Sequence, residues 1–593
     1  MRRLLSHFLL ALPIALSGSH FGMSLSTSDT GTVGVLPFDW SGQWGITHRY
    51  GFSGWGIDTE DGPLFLDGNF AHWPQRYAFP FKDGPLPEGG EEGIESSIWY
   101  RRGDYLLDEF AFDVDVRDAR ARTTRFQALK RNFDDRFGLL GPTAFLGAGG
   151  TIQQNYRLTV SIPSGKREEW RFGAAFYKTS DAIPVLSQGV WQKGAFRIDR
   201  ILANGLSYTK RGDRVDVQLR ASAFAQQLKV KGGVASPGWR ADLLSYRVYE
   251  RSDIAMGGTS HLFVEGAAKQ SHVSSDTLGN DSRLTLWGLT GLKDERGGVE
   301  YHVGIGAGYV SPDDGALLYH GQVQYSRGAT HLYGVLSRRL AAVPFQLSGR
   351  PFLHARDPLS GRPFPRIHPD SSAVSQIRSL RGVGAEWRLR RLRLQLEVFQ
   401  SEAAPHFILE RQEELELPDQ ISLTRTSRSA AIGVQWEGSA NYFRNWWVGA
   451  RGVSFPNNPE GWGNGIRHEV TLALRFQEFL FRRNLDARTR VWFDFWLGRN
   501  GFVWDPILSL GYYDPKNSYP RDATGVLNVE FKGIVSTFEI SFTMLNVLYA
   551  GRDLLRTALG DTFSDKDLIL TASPLFPSSG RLAFVTVRWK FKD

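Results

Sequence analysis

Residues 537–544, TFEISFTM, and 581–592, RLAFVTVRWKFK, decide the reading of this chain. In the first, Phe538, Ile540, Phe542 and Met544 alternate with Thr537, Glu539, Ser541 and Thr543. In the second, Val585, Val587, Trp589 and Phe591 alternate with Thr586, Arg588, Lys590 and Lys592. Successive side chains of a strand point to opposite faces, so each stretch is a strand with one greasy face and one wet face. Residues 524–532 precede them with Leu527, Val529 and Phe531 set between Asn528, Glu530 and Lys532.

The same two-residue period recurs upstream. Phe110, Phe112, Val114 and Val116 carry it, as do Tyr156, Leu158, Val160 and Ile162, and Trp170, Phe172, Ala174 and Phe176. Later come Leu392, Leu394, Leu396 and Val398, then Val470, Leu472, Leu474 and Phe476. Many segments reach about ten residues, the length a tilted strand needs to cross a bilayer. Short connections such as residues 211–213, 296–298 and 326–328 alternate with long ones at 132–150, 270–281, 341–379 and 550–579. Short periplasmic turns and long external loops give that rhythm. Trp446, Trp447, Trp492, Trp496, Tyr512 and Tyr513 stand near segment ends, where a membrane interface holds aromatics. The expected fold is all-β: one large antiparallel transmembrane barrel of about 20–22 strands over residues 94–593. The rhythm slips between residues 498 and 523, so the strand count there is one too few or one too many.

Composition agrees with that class. The chain has 593 residues, 13% aromatics, 64 glycines and no cysteine. Its mean hydropathy is negative, and no apolar run approaches the ~18 residues of a membrane helix. A net charge of +8 with interleaved signs does not make a nucleic-acid stripe. Residues 1–23 read as a signal peptide: Arg2 and Arg3, an apolar core at 4–16, then Ser17, Gly18 and Ser19. Residues 24–93 are rich in Gly, Pro and aromatics without periodicity, and are expected to fold into the barrel lumen. The expected location is the outer membrane.

The closing strands, ISFTMLNVL at 540–548 and RLAFVTVRWKF at 581–591, resemble those of large Gram-negative outer-membrane barrels: porins and, more closely, TonB-dependent receptors. LFLDG at 64–68 with IESSIWYRRG at 94–103 resembles the end of the receptors' plug domain, here in truncated form. DTGTVGV at 29–35 resembles their energy-coupling box, which makes Asp29, Thr30, Thr32, Val33 and Val35 candidates for contact with an inner-membrane energy-transducing protein. The resemblance also implies the barrel-assembly machinery, outer-membrane lipid and lipopolysaccharide as partners.

No HExxH, paired-His or GxSxG pattern occurs, so neither a metal, a cofactor nor catalysis is expected. The informative polar residues are charges on the wet faces: Arg214, Arg220, Arg388, Arg390, Arg391, Arg393, Glu397, Arg467, Glu469, Arg475, Arg488, Arg490 and Asp494. As candidate lumen-lining residues they would either select anions or pair across strands and hold the wall. A porin-like channel is the first functional reading. An energised receptor with a reduced plug is the second, and a structural or secretion-associated barrel the third.

Overall fold

The computed structural model describes residues 92–104, 107–133, 151–187, 190–232, 239–275, 279–311, 314–342, 366–368, 375–404, 406–414, 417–426, 428–443, 445–457, 467–497, 502–505, 510–513, 523–551 and 581–592. The proposed leader, the irregular stretch up to residue 91 and the coupling-box residues lie outside them.

Twenty-two strands form one sheet in which sequence neighbours pair antiparallel. The sheet closes on itself: Gly93–Gly103 pairs with Leu582–Lys592, from Glu95↔Lys592 to Gly103↔Phe584. Closure leaves no ladder edge in lipid, where unpaired amides would go unsatisfied. The alternation fixes which face looks out. Leu394, Leu396 and Val398 are exposed on the outer surface, while the alternating Glu397 and Phe399 are buried toward the lumen. Strand Phe538–Leu545 likewise turns Phe538, Ile540 and Phe542 outward.

One rim carries tight turns. Gly297 and Gly298 join Gly279–Arg296 to Val299–Val310 with φ of 59° and 80°, the left-handed pair that a two-residue hairpin favours. The other rim carries the long connections. Three of them contribute to a second, five-stranded sheet: Arg366–His368, His406–Glu414 with Leu417–Thr426, and Phe502–Asp505 with Leu510–Tyr513.

That sheet accounts for the slipped rhythm. Residues 502–505 and 510–513 are strands, but they pair with each other and with 406–414, not with the wall. Tyr512 and Tyr513 therefore do not belong to a wall-strand end. The connection expected over 270–281 is also corrected: Ser260–Ser275 and Gly279–Arg296 keep their ladder up to Ser275↔Gly279. In the proline-rich stretch 341–379, the described residues are the ends of two wall strands and the short strand 366–368.

Candidate functional site: the lumen wall

In the first sector of the wall, strands Gly93–Gly103, Asp108–Arg117, Thr123–Phe133 and Thr151–Pro163 lie side by side. Glu109 faces inward with 0% exposure and Arg101 with 1%. The Glu109 carboxylate takes Arg131 Nε at 2.5 Å and has Arg101 Nη1 at 3.7 Å. Arg131 also donates to Gln153 Oε1 at 3.0 Å, and Arg157 Nε to Gln127 Oε1 at 2.7 Å. Arg101 donates to Thr586 at 3.1 Å across the closing seam, and its guanidinium lies 4.8 Å from the Trp99 ring and 4.5 Å from that of Phe584. A band of buried apolar side chains continues this inner face: Trp99, Ala111, Leu129, Tyr177, Ile201 and Ala203.

The next sector is wetter. On strands Val215–Gly232, Trp239–Gly257 and Ser260–Ser275, Arg220 lies over the Tyr249 ring at 5.3 Å, and Tyr249 donates to Glu265 at 3.1 Å. Arg251 bonds Asp253 at 3.0 Å, approaches Glu265 at 3.5 Å and lies 5.4 Å from the Phe263 ring. Phe263 meets His302 edge-on at 4.2 Å, and His302 meets His320 at 5.1 Å. These charges are half-exposed.

Aromatic rings lie across glycines of the neighbouring strand. Phe263 is opposite Gly291, Tyr333 opposite Gly384, and the Phe399 ring covers Gly433. A Cβ on Gly384 would stand 2.3 Å from the Tyr333 ring, and one on Gly433 2.1 Å from that of Phe399. Only glycine leaves room for the ring to lie flat against the wall. This also explains Gly304, whose Cβ would meet Phe263 at 2.6 Å.

The charges singled out in the sequence divide by position. Glu397 is buried and accepts from Tyr333 Oη at 2.9 Å. Arg393 and Arg388 both reach Glu386, at 2.7 and 2.6 Å. Arg475 donates to Gln477 and lies 5.4 Å from the Trp447 ring. Arg488 bonds Asp486, and Arg490 lies 4.8 Å from the Trp492 ring. Asp494 accepts from Thr471 at 2.8 Å and Asn528 at 3.1 Å. Glu469 is half-buried on the face it shares with Thr471. Arg220 belongs to the second sector. Arg214, Arg390 and Arg391 stand exposed on tight turns instead of the wall, and Arg467 precedes its strand and donates to Pro456 O at 3.2 Å. Trp492 faces the lumen and is not an interface aromatic. Arg101, Glu109 and Arg131 were not among these candidates. The register Glu109↔Arg131 brings them together, and inward parity in adjacent strands is the signal that could have found them.

Among the described residues, no cluster of His, Asp and Glu suits a metal ion. Neither a family model nor a curated protein sequence matches the chain. Solved structures are similar in fold. The siderophore receptor PirA from Pseudomonas aeruginosa superposes with a TM-score of 0.60 at 10% identity, covering 87% of this chain and 84% of that one. The FrpB iron transporter from Neisseria meningitidis gives 0.62 at 9% identity over 85% and 83%. A mutant of the ferric enterobactin receptor PfeA from Pseudomonas aeruginosa gives 0.62 at 9% over 85% and 81%. The fold is the one these siderophore-receptor and iron-transporter structures share, here a closed barrel of 22 antiparallel strands. Within this barrel, the inward charges engage ring, polar and acidic side chains of the same and adjacent strands, and the two wall sectors differ in how much water they meet.

Proposed function

We propose that the chain is an outer-membrane transporter of the energised receptor kind, taking up a chelated metal such as an iron–siderophore complex. The observation that carries this reading is the dry inner face of the first wall sector, around Glu109 and Tyr177. Trp99, Leu129, Tyr177 and Ile201 point inward and are buried, as are Arg101 and Glu109. A water-filled pore wets its wall, and its inward positions are polar. A wall buried on its inner face and apolar on its outer face instead suits a plugged lumen. The size and closure of the sheet, matched to siderophore receptors and an iron transporter over more than four-fifths of both chains, support the same reading. Passage would need an inner-membrane partner to supply energy, and the reading contains no catalytic step.

The porin-like alternative draws on the wetter sector, where Arg251, Asp253 and Glu265 form a mixed-charge surface. Conductance of the full chain in a planar bilayer separates the two. The receptor reading expects a closed barrel, together with ferric-chelate uptake by cells that stops when the proton-motive force is collapsed. A steady open channel with energy-independent uptake would replace it with the porin reading.

A further inference from the structure

Two aromatic pairs bracket the outer face of strands Thr151–Pro163, Glu168–Ser187 and Val190–Arg211. Trp170 and Tyr208 pack with ring centroids 4.6 Å apart near the tight-turn rim. Tyr156 and Phe176 stack at 6.3 Å farther along. Between Trp170 and Lys178 the strand advances about 26 Å at ~3.3 Å per residue. At a tilt of ~40° that is roughly 20 Å of height, close to the ~25 Å apolar band of a transmembrane barrel.

Immediately beyond the upper pair, the outward residues change character together. Lys130 pairs with Gln154, Gln154 with Lys178, Lys178 with Arg200, and Arg200 with Gln227. All five share the outer face with Tyr156 and Phe176, one step nearer the long connections. Lys130 and Arg200 are exposed and Lys178 is half-buried. Arg200 Nη1 reaches Gln227 Oε1 at 3.5 Å, so an amide and no carboxylate neighbours it in the row. Three cations and two amides thus form a strip on the upper border of the apolar belt, bounded on one side by Asp242, which accepts from the Gln227 amide at 3.0 Å. Long basic side chains at such a border lie along the wall and present their charge at headgroup level.

We propose that this strip is a docking site for the phosphate groups of lipid A in the outer leaflet, with its acyl chains against Tyr156, Phe176 and Leu202. The inference rests on the outer-membrane reading above, though not on its energised mechanism. Arg200 supplies a planar fork for a phosphate, held from the side by Gln227, the two lysines supply point charges, and the Gln154 amide donates to a remaining oxygen.

The test uses the full chain purified in detergent and native mass spectrometry. The probes are bisphosphorylated lipid A, dephosphorylated lipid A and phosphatidylglycerol. Wild type should retain the bisphosphorylated form over both others. The variant K130Q/K178Q/R200Q should bind about a hundredfold more weakly, from a gain of order one kcal/mol for each of the three surface cations. The variant R120Q/R122Q, which removes exposed cations at the opposite rim, should match wild type. Should the triple variant fail to assemble, Lys130→Gln and Arg200→Gln are read singly. Equal retention by wild type and the strip variants, equal affinity for phosphatidylglycerol, or an equal loss in the rim control overturns the inference. Absence of the chain from the outer-membrane fraction would instead overturn the reading on which it rests.

Discussion

The sector around Glu109 and the sector around Arg251 use the same materials to opposite effect. Both place a carboxylate among arginines and aromatic rings on the inner face. Around Glu109 water is excluded, so each charge depends on its partners. Around Arg251 the side chains are half-exposed and one arginine serves two carboxylates. A charge pair's contribution depends on its desolvation more than on its length. Exposed pairs contribute little, whereas removing one member of a buried set leaves the others stranded.

Breaking the dry sector should therefore have the largest effect. Glu109→Ala strands Arg101 and Arg131 and should destabilise the barrel by about 3–5 kcal/mol. Urea unfolding of the chain refolded in lipid vesicles measures this, and a loss under about 1 kcal/mol would mean that water reaches the site. The effect of Gly304→Val should be intermediate. Its side chain enters the space of the Phe263 ring, and overpacking of this kind costs about 1–3 kcal/mol. Adding Phe263→Leu should recover part of that loss in the same unfolding measurement, and no recovery would mean that the backbone, not the ring, resists. Asp253→Asn should matter least, by about 0–1 kcal/mol, because Arg251 keeps Glu265 and water. A loss as large as that of Glu109→Ala would erase the distinction between the sectors.

The wall was legible where lipid lies on one side and polar groups on the other. Leu394, Leu396 and Val398 against Arg393, Gln395 and Glu397 give both the strand and its faces. Legibility failed where that contrast disappears. Beyond the apolar belt the outward positions Gln270, His272 and Ser274 are polar, so residues 270–281 read as a connection although the ladder continues through them to Ser275↔Gly279. In the dry sector the contrast fails the other way. Tyr177 beside Phe176, and Ile201 beside Leu202, are apolar on successive positions because both faces leave water. The small second sheet joins residues 410 and 513, a pairing that no local pattern announces. The alternation of neighbouring strands points Arg214, Arg390 and Arg391 into the lumen, but a tight turn ends that alternation before it reaches them.

The closing seam bears on how the wall can form. Every other pair of adjacent wall strands is contiguous in sequence, even where a long connection intervenes. The seam joins Arg101 to Thr586, 485 positions apart. Loop-closure entropy grows only slowly with length, but it is paid before any seam contact repays it. The wall can thus accumulate hairpin by hairpin from neighbouring segments, whereas ring closure is a single non-local event. Until Leu582–Lys592 has been synthesised and meets Gly93–Gly103, the sheet has two free edges. The order of events is thereby written into the connectivity: local pairing can begin anywhere, and sealing must come last.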